Sequence, residues 1–298
     1  MPDPRKDGDG ITSRILQKQY KGYKNADPKP KQQKALPLSV IRNLHKYANT
    51  RVEKALAQLD TGAVFFAMRS CKYTKVPDHT ERRTKSLCIR NFRFYNENKE
   101  ISYLSSQLLT ATSIAITFEV QKNEERNETV IHSATGDPLL CPVIAWAKTI
   151  MRLRSYPGTT INTPINIIHM NNKIYHIQSN DNIKLLRRVV DIMDASELGF
   201  TSSEIGTHSI RSGGAMAMKL AGIDDTTIKL LGRWRSDSFL LYIRKQVLQF
   251  SSKVSTRMLE NEIFMHIPEF SMHNYPPSII SMASPHRELL SPLPSIPE

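Results

Sequence analysis

"GTHSIRSGGAMAM", residues 206–218, sets a histidine and an arginine three positions apart and then runs straight into glycines, alanines and methionines. Residues three apart share one face of a helix. The continuing run "SIRSGGAMAMKLAGI" reads as a helix that ends near Gly222, so His208 and Arg211 stand at its start. The small residues suit close packing against a neighbour, and no packing requirement calls for a histidine and an arginine ahead of them. The plain alternative is a solvated first turn. The residues before and after this stretch bear on the choice.

Downstream, "DDTTIKLLG" reads as a short helix with Asp224 or Asp225 as its cap and Gly232 as its stop. Trp234 stands beside that stop. A last helix begins near "SDSF" and carries Phe239, Ile243, Val247, Phe250, Val254 and Met258 on one stripe, with Tyr242 one turn in, beside the stripe. Upstream, "LPLSVIRNLHKYANTRVEKALAQLDTGAVFFAM" reads as a helical pair. Leu38, Val40, Ile41 and Leu44 form an apolar face, and the buried run Ala63 to Met68 brings Arg69 up against the core. "SLCIRNFRFY" carries a strand signal. Ile114, Ile116, Phe118 and Val120 alternate at the strand period, "KNEERN" is a polar turn, and "ETVIH" returns as a partner strand, which puts Lys122 at a hairpin tip. "CPVIAWAKTIMRLRS" is helical with Pro142 in its first turn, "INIIHMNNKIYHIQ" reads as a second short hairpin, and "NIKLLRRVVDIMDAS" is helical again.

The chain's 298 residues, 40% of them hydrophobic, allow one large or two modest domains. Its 41 Lys and Arg against 28 Asp and Glu give a net charge of +13, which favours a polyanionic partner, nucleic acid before membrane. The three cysteines, Cys71, Cys88 and Cys141, are odd in number and form no CxxC pair, which argues against a disulfide framework or a zinc module and suits a reducing compartment. The opening "MPDPRKDGDG" has no apolar core, no run reads as a membrane span, and the nine histidines show no metal-ligand spacing. Residues 1–35 read as a basic arm and extended linker, and 267–298 as a Pro/Ser-containing mobile tail.

Arg69, Lys122, His208, Arg211, Trp234 and Tyr242 each have an ordinary explanation as a surface, turn or core residue. Taken in order they fit one task, cutting and rejoining a phosphodiester. Two arginines can hold both non-bridging oxygens of a scissile phosphate and stabilise the charge of the pentavalent transition state. A tyrosine phenol can attack and store the bond as a phosphotyrosine. A lysine on a hairpin can protonate the departing 5′ oxygen, a histidine can manage the tyrosine proton, and an indole N–H can donate to a phosphate oxygen. This chemistry calls for no metal or small-molecule cofactor.

The segment "GTHSIRSGGAMAMKLAGIDDTTIKLLGRWRSDSFLLYIRKQV" resembles the carboxyl-terminal half of the tyrosine recombinase (phage integrase) catalytic domain. "TGAVFFAMRSCKY" resembles the family's first arginine box and "ITFEVQKNEERNETV" its lysine hairpin. The wording of these segments is most similar to recombinases of eukaryotic mobile elements. The resemblance covers roughly residues 36 to 260. It implies an α+β fold, mainly helical with a small antiparallel sheet, in a catalytic domain over 36–266 preceded by a remnant of an amino-terminal DNA-binding region. It also implies double-stranded DNA as partner, self-association on paired sites and a nuclear location. Arg69 and Arg211 would be phosphate clamps, Lys122 the general acid, His208 the assisting acid/base, Trp234 the donor at the His/Trp position and Tyr242 the nucleophile of a 3′-phosphotyrosyl intermediate. "ERRTK", with Arg82, Arg83 and Lys85, reads equally as a phosphate-contact loop or a solvated basic turn.

Three departures stand out. The family often carries an acid three residues after the first arginine, where this chain has Lys72. Its His or Trp often falls nine residues before the tyrosine, where this chain has Arg233, with Trp234 at eight. Only a short basic segment precedes residue 36, which leaves a truncated chain or a one-sided grip on DNA. Two rivals remain. One is a type IB topoisomerase, disfavoured by the compact interval from His208 to Tyr242. The other is a catalytically inactive, transposon-derived DNA-binding protein, disfavoured by the presence of all six residues.

Overall fold

The computed structural model describes residues 16–19, 33–75, 86–97, 99–119, 127–171, 173–193, 198–234 and 240. All of them lie in one unit, Met1–Leu248. The expected stripe of the last helix, the tail after 267 and Val120 lie outside the described residues.

The expected helical pair is present as α1 (Leu38–Tyr47) and α2 (Arg51–Phe65). Val40, Ile41 and Leu44 of α1 are buried on one face. A capping box starts α2. The Thr50 hydroxyl accepts the Glu53 N–H at 3.2 Å, and the Glu53 carboxylate accepts the Thr50 N–H at 2.9 Å. From Ala55 to Val64 every residue of α2 except half-buried Gln58 is buried. A helix apolar nearly all round belongs in the middle of a core. Accordingly α1, α3 (Pro142–Arg154), α4 (Ser179–Ile192) and α5 (Ser209–Leu220) all pack on it. Pro142 opens α3, where its missing N–H costs nothing. Arg69 emerges from the carboxyl end of this central helix.

A four-stranded antiparallel sheet has the order β2-β1-β3-β4, with β1 Phe92–Asn96, β2 Lys99–Ile101, β3 Ser113–Phe118 and β4 Glu128–Ser133. The expected hairpin is present, with β3 and β4 paired from Ser113↔Ser133 to Phe118↔Glu128. Phe92, Phe94, Ile114, Ile116, Phe118 and Val130 join the sheet to the helical core. The strand in "SLCIRNFRFY" is shorter than its composition suggests. Ile89–Asn91 form a 3-10 turn instead, because the Asn91 side chain accepts the Cys88 N–H at 2.8 Å and closes the chain on itself. The second hairpin pairs β5 (Ile167–Met170) with β6 (Lys173–His176). All three cysteines are free. Among the described residues no helix is long and apolar enough to cross a membrane.

The extended segment before α1 runs against the start of α5. The Lys34 N–H donates to the Glu204 carbonyl at 2.9 Å and the Leu36 N–H to that of Ser209 at 3.1 Å. The small residues of α5 have the expected use. A Cβ on Gly213 would collide with the Leu36 carbonyl oxygen, and one on Gly214 with that of Val64 at the end of α2. After Gly222, Asp224 caps α6 (Asp225–Gly232) by accepting the Thr227 N–H at 2.9 Å. The stop of α6 differs from the expectation. Gly232 is the last helical residue, and Arg233 takes the left-handed cap conformation, φ 56° and ψ 53°. The Trp234 ring lies where a Cβ of residue 232 would be, so the glycine serves close approach and the turn falls to the arginine.

Candidate functional site

The site is built where the end of α2 meets the start of α5 and the end of α6. Beyond α2 the chain bends through Ala67, at φ 42°, and delivers half-buried Arg69 to the head of a 3-10 turn, Ser70–Lys72. The Lys72 N–H donates to the Arg69 carbonyl at 2.9 Å and closes that turn.

Arg211 lies in the first turn of α5 and is 2% exposed. Its Nη1 donates to the Ala67 carbonyl and its Nη2 to the Gly232 carbonyl, the latter at 2.7 Å. The guanidinium carbon lies 4.0 Å from the centre of the Trp234 ring, a cation–π contact. Three sequence-distant segments therefore meet at one side chain. Trp234 is buried in a small cluster with Ala35, Ala67, Ala215, Met216 and Ile228. Leu240, two residues before Tyr242, packs on the same cluster.

Arg233 is turned the other way. Its Nη2 donates to the Phe66 carbonyl at 3.0 Å and its Nη1 to that of Leu231 at 2.9 Å, while its guanidinium carbon lies 3.7 Å from the centre of the Phe118 ring. Of the two candidates for the His/Trp position, Trp234 is the one that contacts Arg211. Arg233 reaches beneath the β3–β4 hairpin. Burial lowers the Arg233 pKa, Glu128 opposes this and Arg69 adds to it, yet a guanidinium remains charged at neutral pH.

His208 is the N-cap residue of α5 and is exposed. Its N–H donates to the Gln33 side chain at 2.7 Å, and its carbonyl accepts both the N–H and the hydroxyl of Ser212. The H-x-x-R pair is thus split between surface and interior, with His208 at the rim and Arg211 below it. Lys122, Tyr242, Arg82, Arg83 and Lys85 lie outside the described residues.

Two further groups share the locality. Lys72 is only 4% exposed. Burial lowers its pKa to about 8. Arg233 and Arg69 push the same way, while Cys71 and Glu119 oppose. His132 of β4 packs edge-on against Phe66, with ring centres 4.5 Å apart. Burial and the charge of Arg233 lower its pKa to about 4, against a hydrogen bond to the Phe65 backbone that favours the charged form. It is therefore neutral at pH 7. Lys72 is visible in the sequence only as a break with the arginine-box pattern. His132 could have been found from strand alternation, since it shares the inward face of β4 with Val130. Among the described residues no group of His, Cys, Asp or Glu is arranged to hold a metal ion.

Arg211 and Arg233 are thus each set on backbone carbonyls and an aromatic ring, on opposite sides of the turn after α6, while Arg69 and Lys72 share the 3-10 turn beyond α2.

No protein-family model and no curated protein matches the chain. Among solved structures, the chain is similar to the Tn1549 transposon integrase in complex with circular intermediate DNA, at 11% identity and a TM-score of 0.40. That match covers 72% of this chain and 62% of the other, so the chain spans about three fifths of its length. A structure of the same integrase in complex with transposon right end DNA matches at 10% identity and a TM-score of 0.41, covering 76% of this chain and 68% of that one. Values this low mark a distant likeness.

Proposed function

We propose that this chain is a DNA-binding recombinase of the tyrosine type, which breaks and rejoins DNA strands. The observation that carries this reading is the double anchoring of Arg211. Its guanidinium ties the Ala67–Arg69 bend to Gly232 and Trp234, so that the first arginine box, the H-x-x-R helix and the segment leading to Tyr242 converge.

In the mechanism, Arg69 and Arg211 hold the non-bridging oxygens and stabilise the pentavalent transition state. The Tyr242 oxygen attacks phosphorus, a P–O bond to tyrosine forms, and the P–O5′ bond breaks. Lys122 gives its proton to the leaving 5′ oxygen, and His208 at the rim takes the phenolic proton. Rejoining runs the steps in reverse. The Trp234 ring lies against the Arg211 guanidinium, and Leu240 packs on the cluster that includes Trp234. The same reading has the protein self-associate on paired DNA sites and work in the nucleus, as recombinases of eukaryotic mobile elements do.

A second reading, an inactive DNA-binding descendant of a transposon, draws on Lys72, a buried cation where the family often carries an acid. Trapping on a nicked DNA substrate separates the two. The recombinase forms a covalent protein–DNA band, with the nucleotide on the peptide containing "FLLYIR". Tyr242→Phe abolishes the band and leaves DNA binding unchanged. An adduct on Tyr156 or Tyr175, or an active Tyr242→Phe, overturns the assignment. Binding with no band in the wild-type protein supports the inactive descendant.

A further inference from the structure

A carboxylate deep in a helical core needs a cation or a proton, because it has lost its hydration there. Asp60 of α2 is fully buried, and it meets two other buried side chains. Asn182 of α4 donates through Nδ2 to Asp60 Oδ1 at 2.7 Å and to the Tyr73 hydroxyl oxygen at 3.3 Å. The Tyr73 hydroxyl in turn bonds the Asp60 carboxyl. Asp60 Oδ2 and Asn182 Oδ1 are buried with no hydrogen-bond partner among the described residues. Charged and titratable groups on the surrounding elements face other partners. His45 of α1 bonds the Thr61 hydroxyl at 2.8 Å, and Lys148 of α3 acts on that imidazole. Arg188 of α4 pairs with Glu53, and Arg211 of α5 with the Ala67 and Gly232 carbonyls. In the turn, Cys71 acts on Tyr73 and on Lys72. On Asp60 itself burial favours the acid, and it outweighs the hydrogen bonds of Asn182 and Tyr73, so the pKa is raised to about 7.

The same cluster holds the segment that Arg69 heads. Tyr73 closes the 3-10 turn, its N–H donating to the Ser70 carbonyl at 3.0 Å. Thr74 bonds that carbonyl through its N–H and its hydroxyl, both at 2.9 Å, and its hydroxyl meets that of Ser179 in α4 at 2.8 Å. We infer that Asp60, Asn182 and Tyr73 are positioning residues for Arg69, forming a brace in which an uncharged Asp60 carboxyl ties the turn to α2 and α4. The phosphate role of Arg69 rests on the proposed function, and the brace itself does not. A proton on Asp60 Oδ2 removes a buried charge and turns an unpartnered acceptor into a donor. Ionisation leaves a buried carboxylate in a cluster with few donors, so the brace weakens as pH rises. Because the folded-state pKa is raised, the stabilisation is fully present below about pH 4 and is lost as pH rises through about 7.

The test is chemical denaturation of the full chain from pH 5 to pH 8, with the wild type beside Asp60→Asn, whose amide keeps the shape of the neutral acid and cannot ionise. Over that range the wild-type ratio of folded to unfolded protein falls about a hundredfold relative to that of Asp60→Asn. Amide hydrogen exchange at Tyr73 and Thr74 reads the turn itself. In the wild type it accelerates over the same range by more than the intrinsic base-catalysed rise, and in Asp60→Asn by that rise alone. An equal pH dependence of stability in the two proteins, or exchange that follows the intrinsic rise in both, overturns the inference. If Asp60→Asn fails to fold, carbon-13 NMR of the wild-type carboxyls decides alone. An Asp60 carboxyl still protonated at pH 6 supports the brace, and one already ionised at pH 5 overturns it. Covalent trapping is read separately. These signatures without a DNA adduct keep the brace and remove the recombinase. An adduct whose pH profile is the same in the wild type and Asp60→Asn keeps the recombinase and removes Asp60 as a positioning residue.

Discussion

Arg211 works as a hinge pin between parts of the chain that are far apart in sequence. One guanidinium spans the carbonyls of Ala67 and Gly232 and lies against an indole ring, a task that needs a planar, forked cation. Lysine offers a single ammonium and cannot reach both carbonyls in the same geometry. Arg211→Lys therefore loses covalent trapping and lowers stability by about 2 kcal/mol, the cost of one buried charged hydrogen bond left unmade. Chemical denaturation together with the nicked-substrate assay checks both. Retained trapping with a lysine at 211 would mean that charge alone suffices there. Trp234 and Arg233 illustrate how adjacent residues diverge. The left-handed turn at Arg233 sends its side chain toward Phe118 and leaves Trp234 to fold back over Gly232.

The contact between α2 and α5 decides how far the two arginine boxes stand apart. Gly213 and Gly214 bring the backbone of α5 against backbone carbonyls of Leu36 and Val64. A backbone oxygen cannot swing aside as a side chain tip can. Gly214→Ala gains up to about 1 kcal/mol of helix propensity. It loses about 3 kcal/mol to overpacking, since α5 must lift off α2. The net expectation is a loss of about 2 kcal/mol in thermal or denaturant unfolding, with DNA cleavage falling further than stability because the Arg69–Arg211 spacing changes. A neutral or stabilising effect would show that α5 can shift without cost. The methionines at the other end of this helix need no such account, since Met216 packs in the small cluster around Trp234 and Met218 at its edge.

For the whole molecule, the excess of 13 positive charges favours a polyanionic partner, which the proposed function takes to be DNA. Duplex binding is expected to tolerate sequence changes and to weaken steeply with salt, because each phosphate contact releases condensed counterions. Between 50 and 200 mM salt the dissociation constant rises about a hundredfold or more if several phosphates are engaged. A gel-shift series at stepped salt concentrations measures the slope, and a flat series would remove the electrostatic account of binding.

Local pattern alone determined most of the elements. The alternation of Ile114, Ile116 and Phe118 is the period of a pleated strand. The apolar face of Leu38 to Leu44 belongs to a helix, and the paired glycines after Arg211 belong to a close helix contact. Each depends only on neighbours in the chain. Other features depend on partners more than a hundred residues away, and no window of sequence contains them. The capture of Arg211 by Ala67 is one, and that of Arg233 by Phe66 is another. The end of α6 shows the division within a single turn. The sequence places a stop at Gly232, but steric contact with the Trp234 ring claims that glycine and passes the left-handed residue to Arg233. Periodicity is a one-dimensional property, so it survives in the sequence. Charge clustering and close approach are distances, and only the folded chain fixes those.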